Sequence, residues 1–183
     1  IFAGTRAQWD LYLFAHPDDD VFARPLLFRD PDTRKAVVFL TNGSGPGLAP
    51  SSLRQAEARR ALAKLKSAQV FWLGIELDIN AETLATRFDE VDARLRALTA
   101  ELDGEVKRVV THAWEGGHPD HDAAHLLGLV LAEHLQVADA SVALPFYRAA
   151  RSGVWPFVVM RLLPRAGCVP ETTHLSLGEA LSL

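Results

Sequence analysis

Two short segments of the sequence are rich in side chains that bind metals or transfer protons. The first, AHPDDD at 15–20, places His16 and three carboxylates, Asp18, Asp19 and Asp20, directly after an apolar run. Adjacent carboxylates disfavour one another's ionised form, and no Lys or Arg lies within the segment to offset this. A divalent cation would favour the ionised carboxylates, so the segment suggests a metal site.

The second segment, WEGGHPDHDAAH at 114–125, supplies further imidazoles and carboxylates. They are Glu115, His118, Asp120, His121, Asp122 and His125. His16 and Asp19 share the three-residue spacing of His118 and His121, so each pair can face one point across a helical turn. Imidazole nitrogen with carboxylate oxygen suits zinc, and three protein ligands plus a water form the catalytic type of zinc site. The two segments together therefore predict one zinc site.

Each segment alone has a structural interpretation. The three aspartates could cap a helix and complement its dipole, and His121 and His125 could lie on one hydrated helix face. Two His-Pro-Asp tripeptides, each at a predicted strand-to-helix loop, favour the metal site over both readings. The other histidines lack such neighbours, and we interpret His112, His134 and His174 as structural or surface residues.

The surrounding pattern predicts a parallel sheet. Continuous apolar runs predict strands at 9–15, 35–41, 69–75, 106–113, 140–149 and 154–163. Helices are predicted at 51–68, 81–102 and 121–135. Apolar strands that alternate with helices are typical of a parallel sheet covered on both faces. We therefore predict an α/β fold: a Rossmann-like, mostly parallel sheet with helices on both faces, in three layers α/β/α. Ligands bind such sheets at the carboxyl ends of strands, where both segments lie.

Length and charge limit the class of protein. The 183 residues suffice for one domain with a sizeable core, and 49% of them are hydrophobic. A net charge of −4 argues against nucleic acid as a partner, and no apolar run approaches the ~20 residues of a membrane span. Since Cys168 is the one cysteine, no intrachain disulfide can form. We expect a cytoplasmic protein, and a homo-oligomer is compatible with the sequence.

Read together, AHPDDD (15–20) and HPDH (118–121) resemble the two metal motifs of the LmbE/PIG-L family of zinc-dependent de-N-acetylases. The TNG turn at 41–43 is similar to the family's T-x-G turn, and Arg54 with Glu57 is similar to its R-x-x-E motif. The resemblance extends in motif order from about residue 9 to 135. The family acts on N-acetylglucosaminyl-phosphatidylinositol and on precursors of mycothiol and bacillithiol.

The resemblance implies a fold, a reaction and a set of roles. The implied reaction removes an acetyl (acyl) group from an N-acetylated amino sugar or sugar conjugate, a small-molecule substrate, with one zinc ion per chain. A water activated by the metal would attack the amide. The implied roles are zinc ligands His16, Asp19 and His121; general base Asp18; oxyanion stabiliser and acid His118; Asp120, which would orient His118 and raise its pKa; and substrate contact Arg54.

Some positions depart from the family pattern. Asp20 stands where Glu is usual, Asn42 where an acidic residue is common, and Gly116 and Gly117 where some members have Tyr or an acidic residue. Members also continue with a further helix, so we expect a single domain over 1–183 that lacks part of its C-terminal end.

Two other functions fit the same residues. One is a metal-containing sugar-binding domain without turnover, and the other is a metal-dependent phosphoesterase, which often holds two metals. The GSGPGLAP loop (43–50) could form part of the pocket rim, and Trp114 is the better candidate among the tryptophans for stacking on a sugar ring.

Overall fold

A computed structural model describes residues 7–29, 33–48 and 50–145, and the backbone of 147–149 and 157–159. The strands are β1 (Gln8–Phe14), β2 (Arg34–Phe39), β3 (Ala68–Phe71), β4 (Glu105–His112), β5 (Val142–Leu144), β6 (Tyr147–Ala149) and β7 (Phe157–Val159). The helices are α1 (Asp20–Arg29), α2 (Ser51–Leu62), α3 (Leu73–Glu76), α4 (Phe88–Glu101) and α5 (Pro119–His134), with 3₁₀ turns at Leu84–Arg87 and Ala138–Ala140. Cys168 and His174 lie outside the described residues.

The central sheet has five parallel strands in the order β3-β2-β1-β4-β5. A separate antiparallel pair joins β6 to β7. The mostly parallel sheet predicted from the apolar runs is thus confirmed.

The sheet is covered on both faces, which explains why its strands are apolar without alternation. Along β1, Leu11 and Leu13 enter one core, and Tyr12 and Phe14 enter the other, because successive side chains point to opposite faces. The first core is closed by α4 and α5, and the second by α1 and α2. The predicted three-layer α/β/α arrangement is confirmed.

The strand order places β1 and β4 side by side at the centre of the sheet. The chain leaves β1 into α1 on one face, and it leaves β4 into α5 on the other face. Connections that diverge in this way open a crevice at the carboxyl ends of the two strands. The two metal-motif segments follow β1 and β4, so the topology brings them to this crevice.

Several predicted boundaries differ from the observed ones. The strand predicted at 69–75 ends at Phe71, and the chain turns into α3, where Gly74 packs against the backbone of Thr41. The strand predicted at 140–149 is interrupted at Pro145, whose nitrogen cannot donate to a ladder. Of the strand predicted at 154–163, the backbone of 157–159 is described, as β7.

Two predicted helices are shorter than expected. The helix predicted at 51–68 ends at Leu62, since the chain needs a turn before β3. The helix predicted at 81–102 begins as a 3₁₀ turn at Leu84. Glu82 has φ +70°, which a right-handed helix excludes.

None of the helices in the described ranges has the length and hydropathy of a bilayer span.

Candidate metal centre

The crevice between the ends of β1 and β4 contains a pocket formed by both metal-motif segments. Its lining residues are His16, Asp18, Asp19, Leu48, Arg54, Ala81, Glu82, His118 and His121. Six of the seven residues that the sequence assigned to the site therefore lie at one pocket. The seventh, Asp120, lies buried beneath it, 2.9 Å from the His16 ring.

Asp19 lies close to each of the other two predicted zinc ligands. Nδ1 of His16 lies 3.4 Å from Oδ2 of Asp19, and Oδ1 of Asp19 lies 3.6 Å from Nε2 of His121. Two ligand atoms bound tetrahedrally at the usual zinc distances stand ~3.3 Å apart. All three side chains are buried. The donor types, and the spacing of Asp19 from each imidazole, therefore fit a zinc ion.

Two sets of three side chains in the described residues bring their ligand atoms within 4.8 Å of one another, and each set contains two of the predicted ligands. His16, His118 and His121 each offer one ring nitrogen within 4.8 Å of the others. The His118 ring stacks on the His121 ring with 3.8 Å between centroids. The other set is Asp19, His112 and His121; both sets contain His121, so they describe one site.

Each of the two candidate ligand imidazoles, His16 and His121, has a carboxylate at its other nitrogen. Oδ2 of Asp120 lies 2.9 Å from Nε2 of His16, and Oε2 of Glu115 lies 2.9 Å from Nδ1 of His121. Metal-binding histidines commonly donate their second N–H to a carboxylate, which fixes the tautomer and the ring orientation. This arrangement is a further reason to regard the pocket as a metal site.

The observed contacts of Asp120 differ from the predicted one. The sequence paired it with His118, whereas in the structure its carboxylate contacts His16 and accepts the backbone N–H groups of Glu82 (2.6 Å) and Leu84 (3.2 Å). Glu82 adopts φ +70° at this contact. Asp120 thus ties the β1 loop and the segment before α4 to the start of α5.

The charge states of the imidazoles follow from burial and neighbours. Burial lowers the pKa of His16, but Asp19 and Asp120 outweigh it and raise the pKa to about 9. Burial raises the pKa of Asp19, but His16 and His112 outweigh it and hold the pKa well below its usual value. The two carboxylates therefore favour a protonated, positively charged His16.

The pKa of His118 is shifted in the opposite direction to that of His16. Burial, together with the neighbouring His121 and His16, lowers its pKa to about 4. The expectation that Asp120 keeps His118 charged at neutral pH is therefore wrong. A neutral imidazole still donates one N–H, so His118 can serve as a hydrogen-bond donor.

His112 is a site residue whose position the sequence analysis did not anticipate. It is fully buried at the end of β4, with Nε2 3.3 Å from Oδ2 of Asp19. The backbone N–H of Ala15 donates to the same Nε2 at 3.0 Å, so this nitrogen presents its lone pair to Ala15. Burial lowers the pKa of His112, in keeping with a neutral ring. Its place at the carboxyl end of a predicted strand was the available signal.

Asp18 and Arg54 lie at the open side of the pocket. The Arg54 guanidinium pairs with the Asp18 carboxylate and donates to the carbonyl oxygen of Gly43 at 3.0 Å. The Asp18 side chain is 55% exposed, so solvent and substrate can reach it. Arg54 thus connects the T-x-G turn with the β1 loop.

The departures from the family pattern have local structural explanations. Asp20 is buried at the start of α1, 3.7 Å from Nε of Arg24, and burial raises its pKa to about 6. The Asn42 side chain donates to Asn80 and accepts from the Ser44 backbone. Gly116 has φ +71°, a conformation that favours glycine. Trp114 is 45% exposed and meets the His125 ring edge-on.

Residues 11–132 match the family described as PIG-L, GlcNAc-PI de-N-acetylase. No curated protein matches the chain significantly. Among solved structures, the chain is similar to a triple mutant of a deacetylase of the teicoplanin biosynthetic pathway and to the A40926 pseudoaglycone deacetylase. Each of these two comparisons gives 20% sequence identity and a TM-score of 0.52. It is also similar to the N,N'-diacetylchitobiose deacetylase from Pyrococcus horikoshii, with 16% sequence identity and a TM-score of 0.50.

The structural similarity covers a larger share of this chain than of the three similar structures. They extend over 72%, 73% and 74% of this chain, and over 61%, 61% and 54% of the three structures in the same order. The chain therefore spans less than two thirds of each structure. At these identities the similarity establishes the α/β fold.

Proposed function

The chain belongs to the PIG-L family of de-N-acetylases, and from this premise we propose that it is a zinc-dependent hydrolase that removes the acetyl group from an N-acetylated amino sugar or sugar conjugate. One observation carries the proposal: Asp19 lies 3.4 Å from His16 and 3.6 Å from His121, which comes from a segment about a hundred residues away. Asp18 and His118 line the same pocket, where hydrolysis needs a base and a donor.

His16, Asp19 and His121 would hold the zinc ion. When bound, zinc supplies Lewis acidity, which makes water more acidic and the amide carbonyl more electrophilic. The remaining steps belong to the protein's own side chains.

Asp18 is the general base of the proposal. Its exposed carboxylate takes one proton from the attacking water as the oxygen bonds to the acyl carbon. Arg54 holds this carboxylate at the pocket rim and stands where polar groups of the substrate would enter. The proton on Asp18 then passes to the amide nitrogen as the C–N bond breaks, which yields acetate and the free amine.

His118 is the oxyanion donor of the proposal. Because its pKa is about 4, it contributes an N–H rather than a full charge. One such donor is commonly worth about 3 kcal/mol of transition-state stabilisation. A neutral His118 has no spare proton for the amine, so the proposal assigns that transfer to Asp18.

Asp120 is a positioning residue of the proposal. Its contact with Nε2 of His16 leaves Nδ1 directed at Asp19 and the metal position. It therefore supports the first zinc ligand.

A two-metal phosphoesterase is the less favoured alternative. Within the described residues, the candidate ligand groups share His121, so they do not form two separate metal positions. A non-catalytic zinc domain is also less favoured, since a closed structural site requires neither Asp18 nor His118 at the pocket.

The test is a screen of N-acetylated amino sugars with the zinc-loaded protein, in which free amine and acetate are measured together. We expect equal amounts of both products, and no release in the presence of a chelator. Full release in chelator would contradict the metal dependence. A fully zinc-loaded protein without release from any acetamide would support the sugar-binding alternative.

A further inference from the structure

Glu115, a buried acidic side chain beside His121, has no role in the reaction described above. The Glu115 side chain is 1% exposed, as is that of His121 beside it. A buried carboxylate is costly unless it has a hydrogen-bonded partner. Its Oε2 lies 2.9 Å from Nδ1 of His121, a separation typical of a strong hydrogen bond.

The loop before α5 is folded so that Glu115 reaches back to His121. The backbone N–H groups of Glu115 and Gly116 both donate to Oδ1 of Asp122, at 2.7 and 3.0 Å. Gly116 adopts φ +71° within this turn. The turn therefore places the Glu115 carboxylate over the first turn of α5, where His121 stands.

The contact determines which nitrogen of His121 faces the metal position. A carboxylate at Nδ1 accepts a hydrogen bond from the Nδ1–H group, so the lone pair lies on Nε2. Nε2 points toward Oδ1 of Asp19, 3.6 Å away. Asp120 does the same for His16 through the opposite nitrogen, Nε2, so the two imidazoles are held in complementary tautomers.

We propose that Glu115 is a positioning residue that fixes the tautomer and orientation of His121 for metal binding. The inference rests on the proposed zinc-dependent function and extends it to a residue outside the ligand set. A carboxylate in this place also increases the donor strength of the imidazole, and loss of such partners typically weakens metal binding 10- to 100-fold.

The test compares Glu115→Ala, Glu115→Gln and the full-length unmodified protein. The zinc dissociation constant is measured by competition with a chromophoric chelator, and the ligand geometry by the visible absorption of the cobalt(II)-substituted protein. We expect Glu115→Ala to raise the zinc dissociation constant about 10- to 100-fold and to shift the cobalt bands. Glu115→Gln should have a smaller effect, because its amide oxygen can still accept a hydrogen bond from the Nδ1–H group of His121.

Glu133→Gln is the matched control, since Glu133 lies exposed at the far end of the same helix. It should leave both readouts unchanged. Thermal unfolding of the metal-free proteins reports any purely structural effect. Wild-type zinc affinity and cobalt spectra in both Glu115 variants would overturn the inference while leaving the proposed function intact. Absence of zinc binding by the unmodified protein would overturn both.

Discussion

The carboxylate of Asp120 lies 2.9 Å from Nε2 of His16, across 104 residues of sequence. Both groups are buried, and the same carboxylate accepts the backbone amides of Glu82 and Leu84. The contact joins the loop after β1 to the first turn of α5. It explains how two distant segments are held together at the site by the protein itself.

The first prediction concerns this contact. Asp120→Asn keeps the shape of the side chain but removes its negative charge and one of its two acceptor oxygens. It should therefore lower the free energy of unfolding by about 1–3 kcal/mol. It should also weaken zinc binding about 10- to 100-fold. Urea denaturation with chelator present and zinc titration measure the two effects. Asp139→Asn, at an exposed position, is the control. Unchanged stability and zinc affinity would show that the contact has no such role.

The second prediction separates metal binding from proton transfer. His121→Ala should lose zinc, because it removes the residue common to the candidate ligand sets. Asp18→Asn should keep zinc and lose turnover about 10²- to 10⁴-fold, as expected for a general base. Zinc content by mass spectrometry and amine release are measured together. His134→Ala, exposed at the end of α5, should change neither. Equal zinc content and equal rates in the His121 and Asp18 variants would refute both assignments.

The third prediction concerns Arg54 at the pocket rim. Arg54→Ala removes a guanidinium that lines the pocket and pairs with Asp18, so KM should rise about tenfold or more while zinc stays bound. A smaller decrease in kcat should accompany it, because Asp18 loses its partner. Arg60→Ala, exposed on the same helix, is the matched control. An unchanged KM would remove Arg54 from the substrate site.

The fourth prediction tests the packing that supports the T-x-G turn. A Cβ at Gly74 would lie 2.0 Å from the carbonyl carbon of Thr41, and the backbone there is fixed by the sheet. Gly74→Ala should therefore cost at least about 3 kcal/mol of stability. Gly47→Ala has open space and only the strain of φ +73°, worth about 1–2 kcal/mol. Equal costs for the two variants in urea denaturation would show that the close approach is relaxed.

The sequence predicted the sheet and the meeting of the two motifs because both depend on simple patterns. Apolar strands alternating with helices define a doubly covered sheet, and the ends of β1 and β4 fall together in it. The mixture of imidazole and carboxylate groups predicts a metal site, and the structure brings these groups together at one pocket.

The pairing of individual side chains could not be predicted in the same way. Asp120 is two residues from His118 in sequence, yet it contacts His16, because the helix turn directs it beneath the pocket. Glu115 reaches His121 through a turn that depends on Gly116 and Asp122. His112 is ordinary in sequence and becomes a site residue only when β4 lies beside β1. Such contacts arise from tertiary structure, which local spacing does not encode.

The central claim is that the two motif segments bind one zinc ion together. The most direct measurement is anomalous diffraction at the zinc edge from crystals of the zinc-loaded protein. The account predicts one peak in the pocket, about 2.0–2.2 Å from a nitrogen of His16, an oxygen of Asp19 and a nitrogen of His121. A pocket without a peak, or an ion bound by one segment alone, would contradict it.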